Sequence, residues 1–214
     1  TISCSSGQVT DGTTYRNSTA PSNSQFTYIN TSTGSSCGTT ISVNSSSGKL
    51  EVIKTSNNAY LARSFAFLNN PTSAIVRLDF EVLSNTSSNT SAFNFYIGDT
   101  IVDGNSSSSY KYHTNFKIGI DASGSLGWRV NSTGAFVTGS HTILMAVNNS
   151  GNVLNYLAPN GICESVGDDH FDVWIDSVRY VNEGASSTNV GQTLKKFAIV
   201  SNSGPASTCT IDNV

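Results

Sequence analysis

The chain has 214 residues, of which 37% are hydrophobic and 12% are charged, and its formal net charge is −3 at pH 7. Charged residues usually make up about 25% of a chain, and here Ser, Thr, Asn and Gly, which favour turns over helices, take their place. The aromatic content is high enough for a core, which argues against disorder. No basic stripe typical of nucleic-acid binding is visible, and no apolar run reaches the roughly 18 residues of a membrane span.

The first predicted elements lie in the polar segment 1–48, which is rich in Ser, Thr, Asn and Gly. Short apolar stretches predict strands at 25–29, 40–43 and 50–55 within and just after long loops. We expect this loop-rich segment to pack on the rest of the chain, so that residues 1–214 form a single β-sandwich domain.

From residue 50 onward, apolar residues recur with a period close to two, which indicates half-buried strands. In 74–82 the apolar positions fall on one face, and the opposite face carries Arg77, Asp79 and Glu81. Similar alternation marks 91–99, 114–121 and 171–181, whereas "HTILMAVNNSG" is a nearly continuous apolar run that ends in a turn. Eleven or twelve short strands with no helical period predict an all-β, two-sheet antiparallel sandwich.

The four cysteines are even in number, widely spaced and without zinc-ligand spacing. They indicate two structural disulfides and hence an extracellular setting. Four cysteines allow three pairings, of which we favour Cys4–Cys37 and Cys163–Cys209, because each pair closes one end of the chain. Four buried free thiols are the alternative.

Several segments resemble the concanavalin A-like (laminin-G-like) jelly-roll domains of secreted bacterial surface and polysaccharide-active proteins. The resemblance covers residues 60–214 and is carried by "FNFYIG", "NFKIGID", "GWRV", "TGSHTILMAVNNSG", "YLAPNG", "FDVWID", "LKKFAIVSNSG" and "TIDNV". It implies a jelly-roll sandwich with one concave face. That superfamily includes lectins, binding modules, hydrolases and lyases, so the fold alone does not decide the function.

The face opposite the core is the candidate binding site. Amide, charged and aromatic side chains on one open sheet face suit a polysaccharide, because rings stack on sugars and polar groups bind hydroxyls. If neighbouring strands pair in chain order, this face combines Arg77, Asp79, Glu81, Asn94, Tyr96, Asn115, Lys117 and Trp174. Trp174 is out of phase with Val173 and Ile175, so it is either covered or exposed to ligand, whereas Trp128 keeps the phase of the core. The alternative is a solvated face on which Arg77 pairs with Asp79 or Glu81.

Two enzymatic alternatives use the same strands. A polysaccharide lyase acting on a uronate-containing glycan would neutralise the uronate with Arg77 and draw its base and acid from Tyr112, His113 and Lys117. A retaining glucanase needs two carboxylates, but Arg77 occupies the place of the first one in the strand pattern of that family. A lyase is therefore the better enzymatic interpretation, and both rank below a non-catalytic binding domain. A structural or adhesive surface domain is the remaining possibility.

The expected partners and ligands follow from this interpretation. We expect a secreted or cell-surface monomer that binds polysaccharide, with neither nucleic-acid binding nor membrane insertion and with no cofactor. By the jelly-roll resemblance, Asp212 in "TIDNV" is a candidate ligand of a structural calcium ion.

Overall fold

The computed structural model describes residues 28–30, 39–43, 46–54, 59–64, 71–85, 90–100, 111–121, 127–130, 136–186, 193–201 and 206–212. Within these ranges the regular secondary structure consists of sixteen β-strands and no helix. The strands are β1 Tyr28–Asn30, β2 Thr39–Val43, β3 Leu50–Lys54, β4 Ala59–Ser64, β5 Ser73–Asn85, β6 Thr90–Thr100, β7 Lys111–Asp121, β8 Gly127–Val130, β9 Phe136–Val137, β10 His141–Asn148, β11 Leu154–Leu157, β12 Cys163–Val166, β13 His170–Ile175, β14 Val178–Ala185, β15 Lys196–Ser201 and β16 Ser207–Asp212. The described ranges contain no helix of the length and hydrophobicity that crossing a membrane requires.

The strands form two seven-stranded antiparallel sheets and a separate hairpin. Sheet A has the order β14-β13-β10-β5-β16-β3-β2, sheet B has the order β1-β4-β15-β6-β7-β8-β9, and β11 pairs only with β12. The predicted fold class, an all-β two-sheet antiparallel sandwich, is therefore confirmed. The polar N-terminal segment contributes β1 to an edge of sheet B and β2 to an edge of sheet A.

The main core lies between the inner faces of the two sheets. Alternation along β5 turns Val76, Leu78 and Phe80 inward, where Phe80 meets rings from sheet B. Its ring centroid lies 5.4 Å from that of Phe93 and 5.8 Å from that of Trp128, both in edge-to-face geometry, the arrangement that aromatic pairs prefer. The inward phase predicted for 74–82 and for Trp128 is confirmed.

A second, smaller core lies on the outer face of sheet A, under the β11–β12 hairpin. It consists of Leu144, Ala146, Tyr156, Ala158, Val166 and Trp174, with Leu154 packed against it. This cover explains the continuous apolar run of β10: Ile143 and Met145 face the main core, whereas Leu144 and Ala146 face the hairpin. A strand that is buried on both faces has no reason to alternate.

The predicted Cys163–Cys209 disulfide is wrong. Cys209 points from β16 into the main core, and Cys163 is exposed on the side of the hairpin that faces away from sheet A. Sheet A therefore lies between the two sulfur atoms, and both cysteines are free thiols. Burial raises the pKa of the Cys209 thiol. Cys4 and Cys37 lie outside the described residues, so their pairing stays a prediction.

Candidate functional site

The predicted sugar-binding face does not exist as one surface. Arg77, Asp79 and Glu81 lie on β5 of sheet A, whereas Asn94 and Tyr96 lie on β6 of sheet B. In both strands these residues alternate with side chains that face the main core between the sheets. The two groups therefore lie on opposite outer faces of the sandwich and point away from each other. The prediction assumed that consecutive strands pair, but the chain crosses from one sheet to the other between β5 and β6.

Strand register assigns the other three predicted residues to one face or the other. Asn115 stands opposite Tyr96, and Lys117 opposite Asn94, on the outer face of sheet B. Trp174 stands opposite Leu144 and belongs to the outer face of sheet A; Leu144 in turn stands opposite Arg77. The eight predicted residues thus divide equally between the two faces.

The outer face of sheet B is largely covered. Asn94 is 3% exposed and Tyr96 is 4% exposed, and the ring of Tyr96 lies 5.0 Å from that of Tyr112. The Oδ1 atoms of Asn94 and Asn115 are buried, and no described residue donates a hydrogen bond to them. Only Lys117 among these residues is exposed. These side chains therefore do not form the open sheet face that the sequence predicted.

The outer face of sheet A carries a cleft of about 460 Å³ beside the hairpin. Such a volume lies within the range of small-molecule sites. Strands β5 and β10 form its floor, the hairpin tip forms one wall, and the β13–β14 turn forms another. The lining residues are Arg77, Thr142, Leu144, Leu157, Ala158, Pro159, Asp176 and Ser177. Of these, the sequence prediction contained Arg77 alone.

The charged groups around Arg77 are engaged with other partners. Asp79 accepts a hydrogen bond of 2.6 Å from the Thr142 hydroxyl, and Glu81 lies 3.6 Å from the ammonium group of Lys49. The expected alternative, in which Arg77 pairs with Asp79 or Glu81, is therefore wrong. Arg77 is exposed, and among the described residues it has neither an ion pair nor a hydrogen bond. A cationic guanidinium that has no partner within the described part of the chain thus borders the cleft.

Asp176 is held in place at the opposite side of the cleft. It adopts a left-handed backbone conformation (φ 50°) in the turn, and its amide donates to the carbonyl of Thr142 at 2.8 Å. Its Oδ1 accepts from the Thr142 amide at 3.0 Å, and its Oδ2 lies 2.5 Å from Nδ1 of His141. Nε2 of His141 lies 2.8 Å from the carbonyl of Thr138.

Both ring nitrogens of His141 thus face acceptors, an arrangement that suits the doubly protonated imidazolium. Burial acts to lower the pKa of His141, but the hydrogen bonds to Asp176 and Thr138 outweigh it and raise the pKa. Below this raised pKa, the imidazolium of His141 and the carboxylate of Asp176 form an ion pair that neutralises the carboxylate of the cleft.

Trp174 does not contact the cleft as a free aromatic platform. It is 3% exposed, its Nε1 donates to the Tyr156 hydroxyl at 2.8 Å, and that hydroxyl donates to Asp172 at 2.6 Å. The guanidinium of Arg179 lies 4.6 Å from the centre of the indole ring and also pairs with Glu164 on the hairpin. Of the two alternatives for Trp174, the covered one is correct, and its role as a sugar-stacking residue is wrong because protein groups already occupy its surroundings.

Tyr156 and Asp172 complete the attachment of the hairpin to sheet A. Asp172 is buried, and it also accepts from the backbone amide of Glu183 at 2.7 Å. Burial, together with the hydrogen bond to Asp172, raises the pKa of Tyr156. This satisfied network fixes the hairpin wall of the cleft, since each buried polar group has a partner.

The predicted lyase residues are not brought together. Tyr112, His113 and Lys117 belong to β7 of sheet B, whereas Arg77 lies on the outer face of sheet A. His113 is fully buried; burial lowers its pKa, and its Nε2 lies 3.7 Å from Asp169 Oδ1. A substrate carboxylate at Arg77 would therefore lie on the other side of the sandwich from Lys117, and His113 is buried in the interior.

No metal cluster accompanies the candidate calcium ligand in the described part of the chain. Asp212 stands opposite Asp79 across the β16–β5 pair. The described residues contain no group of three or more His, Cys, Asp or Glu side chains that could hold a metal ion. Calcium binding by Asp212 stays a prediction.

Comparison with known proteins assigns neither a family nor an activity to this chain. No family model and no curated protein matches the sequence. Solved structures with a similar arrangement include a carbohydrate esterase from the Shiga toxin-encoding bacteriophage phi24B (14% identity over 83% of this chain and 85% of that chain, TM-score 0.47). A further example is a mutant of the alginate lyase Aly36B (12% identity over 78% of this chain and 79% of that chain, TM-score 0.44). Another is a lectin from Griffonia simplicifolia (11% identity over 82% of this chain and 89% of that chain, TM-score 0.44). At these values the likeness lies in the arrangement of strands and assigns no activity.

Proposed function

We propose that this domain is a non-catalytic carbohydrate-binding domain and that its site is the cleft on the outer face of sheet A. The observation that carries the proposal is the unpaired guanidinium of Arg77 at the edge of a cleft whose other charged side chain, Asp176, is already paired. Among the described residues, no carboxylate or other acceptor meets this guanidinium. A ligand with several oxygen atoms supplies the acceptors that Arg77 lacks.

The other lining groups suit a sugar ring. At the hairpin tip, Leu157 and Pro159 line the cleft with apolar groups that can meet the C–H face of a pyranose. Thr142 uses its hydroxyl hydrogen on Asp79, so its oxygen keeps lone pairs for a sugar hydroxyl. The Ser177 hydroxyl can donate or accept. The cleft thus places polar groups beside apolar ones, and both kinds occur in ligand sites.

The extracellular setting belongs to this proposal. A low content of charge with many Ser, Thr and Asn residues supports it, as does a polysaccharide partner. Fractionation of the source organism, followed by immunodetection in the medium and on the cell surface, tests it. Detection in the cell interior alone would contradict it.

The binding experiment compares Arg77→Ala with Lys117→Ala on a panel of immobilised plant, algal and bacterial polysaccharides, by affinity electrophoresis. Both substitutions remove an exposed cation, but from opposite faces of the sandwich. A charged hydrogen bond contributes about 1.5–3 kcal/mol, so Arg77→Ala should weaken retention at least about tenfold, while Lys117→Ala binds like the wild type.

The converse result, loss of binding in Lys117→Ala alone, would transfer the site to sheet B and overturn the proposal. Retention of no polysaccharide by the wild type would favour a structural or adhesive domain. An absorbance reading on uronate polymers runs in parallel, because a lyase would generate an ultraviolet-absorbing double bond. We expect no such signal, since the lyase residues lie on different sheets.

A further inference from the structure

We infer that the cleft selects an acidic sugar residue, whose carboxylate binds Arg77. This specificity rests on the glycan-binding function proposed above and goes beyond it, because a neutral glycan could also bind by stacking and hydroxyl contacts. Three features carry it: the charge state of the cleft, the geometry of the cation and the apolar surroundings of the cation.

The first feature is the distribution of charge next to Arg77 along β5. Asp79 and Glu81 follow at alternate positions on the same face, so either could in principle neutralise the guanidinium. Instead, Asp79 holds the Thr142 hydroxyl at 2.6 Å, and Glu81 pairs with Lys49 from the segment before β3 at 3.6 Å. Each nearby acid on this strand has a specific partner, and the cation is left for a group outside the protein.

Asp176, the carboxylate that lines the cleft itself, is also compensated. The imidazole of His141 contacts one of its oxygens at 2.5 Å, and the Thr142 amide donates to the other. The groups that face His141 are Asp176, the Thr138 carbonyl and the edge of the Trp128 ring system. Both oxygens of the Asp176 carboxylate therefore have partners inside the protein, whereas the guanidinium of Arg77 has none among the described residues.

The geometry of an arginine decides between kinds of acceptor. Its planar guanidinium presents paired N–H donors that match the two oxygens of a carboxylate, and such pairs are about twice as strong as neutral hydrogen bonds. A sugar hydroxyl accepts one such bond at a time and brings no charge. The carboxylate of a uronate ring can therefore accept two parallel hydrogen bonds from Arg77 and also neutralise its charge. A neutral ring offers Arg77 single hydrogen bonds and no opposite charge.

The apolar residues of the cleft increase this preference. Leu144 stands directly across the ladder from Arg77, and Ala158 and Pro159 of the hairpin tip line the same cleft. A ligand that fills the cleft reduces the water around the guanidinium. Charge pairs strengthen when water is excluded, so the same contact that binds the ring face also reinforces the carboxylate pair.

The test uses oligogalacturonate and its fully methyl-esterified form, which share ring, linkage and length and differ in the charge of the carboxyl group. Oligomers of mannuronate and of glucuronate, and a sulfated glucan of equal length, are titrated in parallel. We expect at least one uronate oligomer to bind about tenfold or more tightly than its methyl ester at low ionic strength, by isothermal titration calorimetry or NMR titration. Added salt should reduce that difference.

Arg77→Gln keeps a polar side chain and removes the charge, so it should bind the acid and its ester equally. Lys117→Ala, which removes a cation from the other face, is the matched control and should keep the wild-type ratio. The inference would be overturned if the ratio of the affinity for the acid to that for its methyl ester fell in Lys117→Ala and stayed unchanged in Arg77→Gln.

The outcomes separate this inference from the proposed function. Equal wild-type affinity for acid and ester, with both weakened by Arg77→Ala, would retain glycan binding in the cleft and overturn acidic selectivity. Tighter binding of the sulfated glucan than of any uronate would indicate that Arg77 prefers a sulfate group and would overturn the inferred selectivity for carboxylate. Retention of neutral glycans only would overturn this inference and leave the proposed function intact, and binding of no glycan would overturn both.

Discussion

The outer face of sheet A and the outer face of sheet B carry the same kinds of residue in different physical states. On sheet A, Arg77 is exposed, unpaired among the described residues and next to a cleft, whereas on sheet B Asn94 and Tyr96 are almost fully buried. The aromatic residue of sheet A, Trp174, is enclosed by its own hairpin, and the cation of sheet B, Lys117, is exposed. Residue type and strand phase thus identify an outward-facing side chain. Whether that side chain can bind a ligand depends on its exposure and on its partners within the protein.

The largest expected effect comes from Trp174→Ala. Because the indole is part of the smaller core under the hairpin, its removal should lower the free energy of unfolding by about 3–5 kcal/mol. A tryptophan that stacks on ligand would instead lower affinity and leave stability nearly unchanged. Urea denaturation of the variant and the wild type distinguishes the two. A change in stability below about 1 kcal/mol would show that Trp174 is not a packing residue.

Tyr156→Phe should have a smaller effect, of about 1–3 kcal/mol. The hydroxyl accepts from Trp174 and donates to Asp172, so its loss leaves two buried groups without this partner. Denaturant unfolding measures the loss. Tyr180→Phe is the control, because its ring is only partly buried and packs against the main core. Equal stability of Tyr156→Phe and the wild type would contradict a hairpin held by this network.

The His141–Asp176 pair should make stability depend on pH by up to about 1 kcal/mol, since one partner is half exposed. The folded-state pKa of His141 is raised above its ordinary value of 6.5. Its contribution is therefore complete below about pH 6.5 and is lost as the pH rises through the folded-state pKa. Unfolding measured between pH 5 and 9 should show this fall, and His141→Gln should remove it. A contribution of His141 that grows with rising pH would contradict the pair.

The smallest effect is expected for Cys163→Ser, which should change stability by less than about 0.5 kcal/mol, with or without reductant. In the native protein, Ellman's reagent should modify Cys163 rapidly and Cys209 only after unfolding, because Cys209 is fully buried. A large loss of stability on reduction that Cys163→Ser reproduces would restore the disulfide predicted from the sequence.

The sequence supported the local part of this description. Alternation along β5 correctly separated Leu78 and Phe80 from Arg77 and Asp79, because a period of two needs no knowledge of neighbouring strands. It could not reveal that the chain changes sheets between β5 and β6, since alternation is the same in either sheet. The prediction of one shared face failed at that step.

The cleft itself depends on contacts distant in sequence. Thr142 and Asp79 are 63 positions apart, and His141 and Asp176 are 35 apart. Alternation predicted one strand over 171–181, whereas a turn at Asp176 and Ser177 divides this segment into β13 and β14. The segment "YLAPNG" contributed to the jelly-roll resemblance, but nothing in it shows that the hairpin folds back over β10 and β13. The continuous burial of β10 was the one clue that a further layer covers sheet A.

The most direct test of the central claim is an NMR titration of isotope-labelled protein with the glycan that binds best. Binding in the cleft should change the chemical shifts chiefly of Arg77, Thr142, Leu144, Leu157 and Ser177. The backbone amides of Asn94, Asn115 and Lys117 should stay unchanged. Shifts concentrated on the latter three residues, with the cleft unaffected, would contradict it.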